Sequence, residues 1–74
     1  MTIDEFKKNI APHMKKGFVA MDKDKTWCYF TKKPFTYKNA IVWFPDVNDE
    51  DMILSMFNIE PVEDWTKSVI KVGK

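Results

Sequence analysis

An α+β domain is predicted for this 74-residue chain: an N-terminal helix, a three- to four-stranded antiparallel sheet and short C-terminal helices. Three observations predict it. A capping box precedes a helical apolar stripe, two β-rich runs flank a polar turn, and acid- and proline-marked helix starts follow residue 46. The competing architecture is a partly open small barrel.

Thr2-Ile3-Asp4-Glu5 has the form of a capping box, in which Thr2 and Glu5 satisfy each other's backbone N–H groups. Ile3, Phe6, Ile10 and Met14 then share one helical face. Pro12 removes a donor and clashes one turn back, so the helix stops or kinks near Ile10. Phe18 to Asp22 and Thr26 to Thr31 read as two strands joined by the polar turn Asp22-Lys23-Asp24-Lys25. Alternation puts Trp27, Tyr29 and Thr31 on one face and Cys28 and Phe30 on the other.

Lys32-Lys33-Pro34 ends that strand, and Asn39 to Phe44, closed by Pro45, reads as a third. Asp46 or Asn48 can cap a short helix with Asp49, Glu50 and Asp51 in its first turn, where the helix dipole favours acids. Met52, Ile53, Met56 and Phe57 form its expected buried stripe. Pro61 starts another short helical turn with Val62 and Trp65 inward. Ser68 to Val72 continues it or forms a fourth strand.

Residues 1–74 make one domain, and a chain this short buries only about 60% of its unfolded surface. One cysteine excludes an internal disulfide framework and a cysteine-based zinc site. The N-terminus lacks the basic and apolar regions of a signal peptide, and the apolar runs are too short to span a bilayer. A cytoplasmic, non-membrane protein is the expectation. Residues 1–45 carry nine lysines against four acids and residues 46–74 three lysines against seven acids, so net charges of +5 and −4 face each other along the chain. All twelve basic residues are lysine. Arginine favours bidentate contacts to phosphate and guanine, and its absence weighs against sequence-reading of nucleic acid.

Seven of the eighteen residues from Trp27 to Phe44 are aromatic, with lysines threaded between them. The rings either fill the core or face outward. Facing outward, they suit a protein partner, because Trp and Tyr are common interface anchors. They also suit single-stranded nucleic acid, with bases stacked on rings and lysines tracking phosphates. The candidate partner-binding residues are Trp27, Tyr29, Lys32, Lys33, Phe35, Tyr37 and Lys38, with the acidic group Asp49, Glu50 and Asp51 facing a basic surface. Homodimerisation is open: the opposed charges of the two halves favour it, while Lys32, Lys33 and Pro34 blunt one sheet edge.

Catalytic and metal chemistry find no support. Asp46, Asn48, Glu50 and Asp51 are spaced somewhat like a calcium loop, but position six is Asp51 rather than Gly and position twelve is Phe57 rather than Glu. His13 and Cys28 are the only His and Cys; His13 lies in a lysine-rich turn and Cys28 shares its strand face with Phe30. With two glycines there is no phosphate-cradling loop. A non-enzyme with no cofactor is expected.

Asp22-Lys23-Asp24-Lys25-Thr26-Trp27, Lys33-Pro34, Trp43 and Asp64-Trp65-Thr66-Lys67-Ser68-Val69-Ile70 together resemble a pattern in small uncharacterised phage and prophage proteins. Those have an acidic turn before a Trp strand, a Lys-Pro, and a closing Asp-Trp-x-x-Ser-Leu. The resemblance spans the last two-thirds of the chain. Lys25 departs from it where Gly is common, and Val69 where Leu is. It implies a protein that binds and inhibits or redirects a host protein, such as a defence or nucleic-acid-processing factor.

Overall fold

The computed structural model describes residues 1–49, 52–54 and 57–73. Helix α1 (Ile3–Asn9) leads through a 3-10 turn (Ala11–His13) into strands β1 (Gly17–Met21) and β2 (Trp27–Phe30). Strand β3 (Met52–Ile53), a second 3-10 turn (Trp65–Lys67) and strand β4 (Ile70–Val72) follow. The antiparallel sheet has the order β3-β2-β1-β4. The fold is α+β, and the 68–72 segment takes the strand alternative from Ile70.

The capping box forms: Glu5 N–H donates to Thr2 Oγ1 at 3.1 Å and Thr2 N–H to Glu5 Oε1 at 3.0 Å. The Thr2 N–H, and then the Thr2 hydroxyl, hold the Glu5 carboxyl below its ordinary range. The helix ends at Asn9 and Pro12 is taken up in the 3-10 turn, where its missing N–H costs nothing. Ile3, Phe6, Ile10 and Met14 all pack on one side of the sheet.

The β1–β2 hairpin pairs Met21 with Trp27 and Phe18 with Phe30. Its turn closes through Lys25 N–H to Asp22 O (2.9 Å) and Asp22 N–H to Thr26 O (2.9 Å). Lys25 takes the left-handed conformation, φ 73°, that a three-residue hairpin loop requires and glycine supplies without strain. A left-handed non-glycine residue costs about 1–2 kcal/mol, and the entropic cost of glycine is about 0.5–1 kcal/mol. Lys25→Gly is therefore expected to raise the thermal midpoint by a few degrees, since about 1 kcal/mol moves a domain this size by about 4–8 °C. An unchanged or lowered midpoint would contradict the assigned turn.

The sheet is covered on both faces. Val19, Met21, Trp27, Tyr29 and Val72 pack against Phe6, Ala11, Leu54 and Ile59. Ala20, Cys28 and Phe30 pack against Phe18, Trp43 and Val69. All four residues of β2 are buried, which accounts for a strand with no polar residue. Gly17 is required by close approach: a Cβ there would lie 2.5 Å from the Phe30 carbonyl oxygen and 2.6 Å from the Tyr29 hydroxyl. That hydroxyl reaches the Lys15 and Lys16 carbonyls at 3.1 and 3.0 Å, tying β2 to the chain entering β1.

Two expected elements differ. Asn39 to Phe44 is not a third strand; only Phe44 of that segment pairs, with Phe35. A turn at Tyr37–Ala40, with Asn39 left-handed at φ 70°, folds the segment back on itself. The expected helix after residue 46 is replaced at Met52–Ile53 by edge strand β3, whose two side chains are exposed rather than buried. Asp46 heads a turn instead, its carbonyl accepting from Asp49 N–H and its side chain from Val47 N–H. Of the expected stripe, Phe57 does face inward, edge-on to Phe6 at 5.9 Å, and Met56 lies outside the described residues. Among the described residues no helix is long and apolar enough to cross a membrane.

Candidate partner-binding site

Between β2 and β3 the chain forms a loop bracketed by two prolines. Pro34 is buried and Pro45 half-buried, and neither can donate to a strand ladder. Inside the bracket Phe35 and Phe44 exchange two backbone hydrogen bonds, at 3.1 and 2.7 Å. The Thr36 hydroxyl crosses the loop to the Val42 carbonyl at 2.8 Å.

Trp43 fastens this loop to the sheet. Its backbone N–H donates to Asp22 Oδ1 at 2.8 Å, and its indole N–H is shared between the carbonyls of Met21 (3.1 Å) and Trp65 (3.2 Å). Lys23 N–H adds a bond to the Ile41 carbonyl at 3.0 Å. Trp43 turns toward the sheet, and Phe44 beside it is half-buried. Phe35, Tyr37 and Phe44 form a three-ring cluster with centroids 5.4–5.8 Å apart. Phe35 is 42% and Tyr37 60% exposed, and Ile41 and Val47 nearby in the chain are also exposed.

The candidate residues therefore separate. Trp27 and Tyr29 lie in the core at 4% and 8% exposure, and the Trp27 indole N–H is buried with no hydrogen-bond partner among the described residues. Phe35, Tyr37 and Lys38 come together on the exposed loop. Lys32 and Lys33 are exposed where β2 ends. Asp49 accepts from the Thr31 hydroxyl and the Lys32 N–H, stitching its segment to the end of β2, while Glu50 and Asp51 lie outside the described residues. Phe44 was placed in a strand by sequence and emerges as a member of the ring cluster. The flanking prolines were the available signal, since they mark a segment that closes on itself.

Trp43, Asp64, Trp65 and Ser68 make contacts that hold the fold together. Trp43 and Trp65 meet edge-to-face at 6.1 Å. Asp64 caps the 3-10 turn by accepting from Thr66 N–H at 3.0 Å and Thr66 Oγ1 at 2.6 Å. The Thr66 hydroxyl, and then its N–H, hold the Asp64 carboxyl below its ordinary range. The Thr26 hydroxyl and N–H do the same for Asp24. Buried Ser68 accepts from Met21 N–H at 2.8 Å and lies within reach of the Met21 and Trp65 carbonyls. In the β1–β4 register Ser68 would stand opposite Met21, so its hydroxyl completes the pairing where the backbone has turned away.

Cys28 is buried beneath Trp43 and His13 is exposed on the 3-10 turn. Among the described residues no group of three or more His, Cys, Asp or Glu side chains is placed to hold a metal. No family model, curated protein or solved structure matches the chain.

Proposed function

We propose that this protein is a non-catalytic interaction module whose 35–47 loop docks on a partner protein through Phe35, Tyr37 and Phe44. The supporting observation is the three-ring cluster, with Phe35 and Tyr37 exposed and Phe44 half-buried, on a loop held by Trp43 and the Phe35–Phe44 pairing. A rigid scaffold presenting aromatic rings loses little conformational entropy on binding, and such rings are frequent binding hot spots. Lys38 beside Tyr37 suits an acidic rim on the partner. The resemblance to small phage proteins supports a host protein as the partner, inhibited or redirected by occupation of its surface.

The test is capture from host lysate by wild type and by the Phe35→Ala/Tyr37→Ala variant. The variant's stability is expected to stay within about 1 kcal/mol of wild type, because surface changes cost at most about 0.5 kcal/mol each. Binding should weaken by at least about 2 kcal/mol, so the captured band disappears. Equal capture by both proteins, or no specific capture by wild type, would refute the reading.

A further inference from the structure

The second face of the sheet is covered unevenly. Trp43 packs over the group containing Ala20, Cys28 and Phe30, near the hairpin turn. At the other end of the same face, half-buried Phe18 lines two adjoining clefts of about 290 and 500 Å³. Strand register places Lys71 directly beside Phe18. Lys16, just before β1, lines the smaller cleft with Phe18, and Lys33, beyond the end of β2, lines the larger. Three lysines from separate chain segments thus rim one phenylalanine, and the described lining residues include no acid. No ion pair holds Lys16, Lys33 or Lys71 among the described residues. Asp49 accepts from the Thr31 hydroxyl and the Lys32 N–H.

From this arrangement we infer a nucleotide-phosphate site: a base stacks on Phe18 while Lys16, Lys33 and Lys71 bind the phosphates. Lysine is a point-charge phosphate ligand that needs no bidentate geometry. An aromatic ring amid lysines is the stacking platform that single-stranded nucleic acid uses, and it tolerates any base. An acidic peptide would use the charges and leave the ring without a role. The site lies apart from the docking loop in residues and does not depend on that reading. The same chemistry can come from a strand or from a free nucleotide.

The experiment is fluorescence-anisotropy titration of a labelled oligo-dT of twelve residues, with ATP and poly-glutamate as competitors. Three phosphate contacts on a single strand give a log–log salt slope of about −2, so binding should weaken about 20-fold between 50 and 200 mM salt. Lys33→Ala/Lys71→Ala should weaken binding at least about tenfold at 50 mM salt, whereas Lys7→Ala/Lys8→Ala on α1, with the same charge change, should not. Phe18→Leu, which keeps an apolar group on the strand, should also weaken it by removing the stack. Displacement by ATP at lower phosphate concentration than the oligonucleotide identifies a free nucleotide as the ligand; oligonucleotide preference identifies a strand. No binding at 50 mM salt, equal losses in the two double-lysine variants, or equal displacement by poly-glutamate would overturn the inference.

Discussion

Trp27→Ala and Tyr29→Ala are each expected to destabilise the domain by about 3–5 kcal/mol, the range for truncating a buried large aromatic residue. At about 0.05–0.15 kcal/mol per residue, a 74-residue chain has only about 4–11 kcal/mol to lose. Either change should therefore remove a large share of the stability and lower the thermal midpoint by more than about 10 °C. Trp27 lies against the cluster built around Phe6, Leu54 and Ile59, and Tyr29 adds hydroxyl contacts to the Lys15 and Lys16 carbonyls. Tyr37→Ala, on the exposed loop, should move stability by no more than about 0.5 kcal/mol. Thermal melts of the three variants check this contrast directly. Intact melts for Trp27→Ala and Tyr29→Ala would mean that these rings are not core.

Trp43→Ala should cost about 3 kcal/mol, at the lower end of the range for large aromatic residues because the ring is half-buried. It removes the cover over Ala20, Cys28 and Phe30 and the donor shared by the Met21 and Trp65 carbonyls. Trp43→Phe keeps the ring and loses the donor, and should cost about 1 kcal/mol. Ser68→Ala strands the buried Met21 N–H, with an expected cost of about 1–3 kcal/mol. Because Trp43 and Ser68 meet the same Met21 carbonyl, the double variant should depart from additivity. Denaturant unfolding of the set measures all of these; near-neutral Trp43→Ala would show that the loop is not fastened through this residue.

The parts of the fold set by local chemistry were legible in the sequence. The Thr2–Glu5 box, the helix stop before Pro12 and the Asp22–Lys25 hairpin each depend on residues within one or two turns of one another. The parts set by distant contacts were not. A lone strand cannot reveal that both its faces are covered, so the destination of the β2 rings had to await the sheet's partners. Asn39 to Phe44 has strand-like composition, but Trp43 is drawn inward by acceptors on Asp22, Met21 and Trp65, all of them more than twenty residues away along the chain. Met52 and Ile53 have the apolar character of a helix stripe, yet the free edge of β2 recruits them as a short strand. At the candidate site, Phe35, Tyr37 and Lys38 were identifiable from density of aromatic and basic residues. Phe44 was not, because its neighbours in the cluster meet it only through loop closure.

Docking of a partner on the 35–47 loop, as proposed above, can be tested by site-specific photocrosslinking. A photoreactive side chain placed at Tyr37 should give a covalent adduct with a single host protein in lysate. The same group at Lys8, exposed on α1, should give none. An adduct formed at Lys8 and absent at Tyr37 would contradict the account and move the binding surface to the helical side of the molecule.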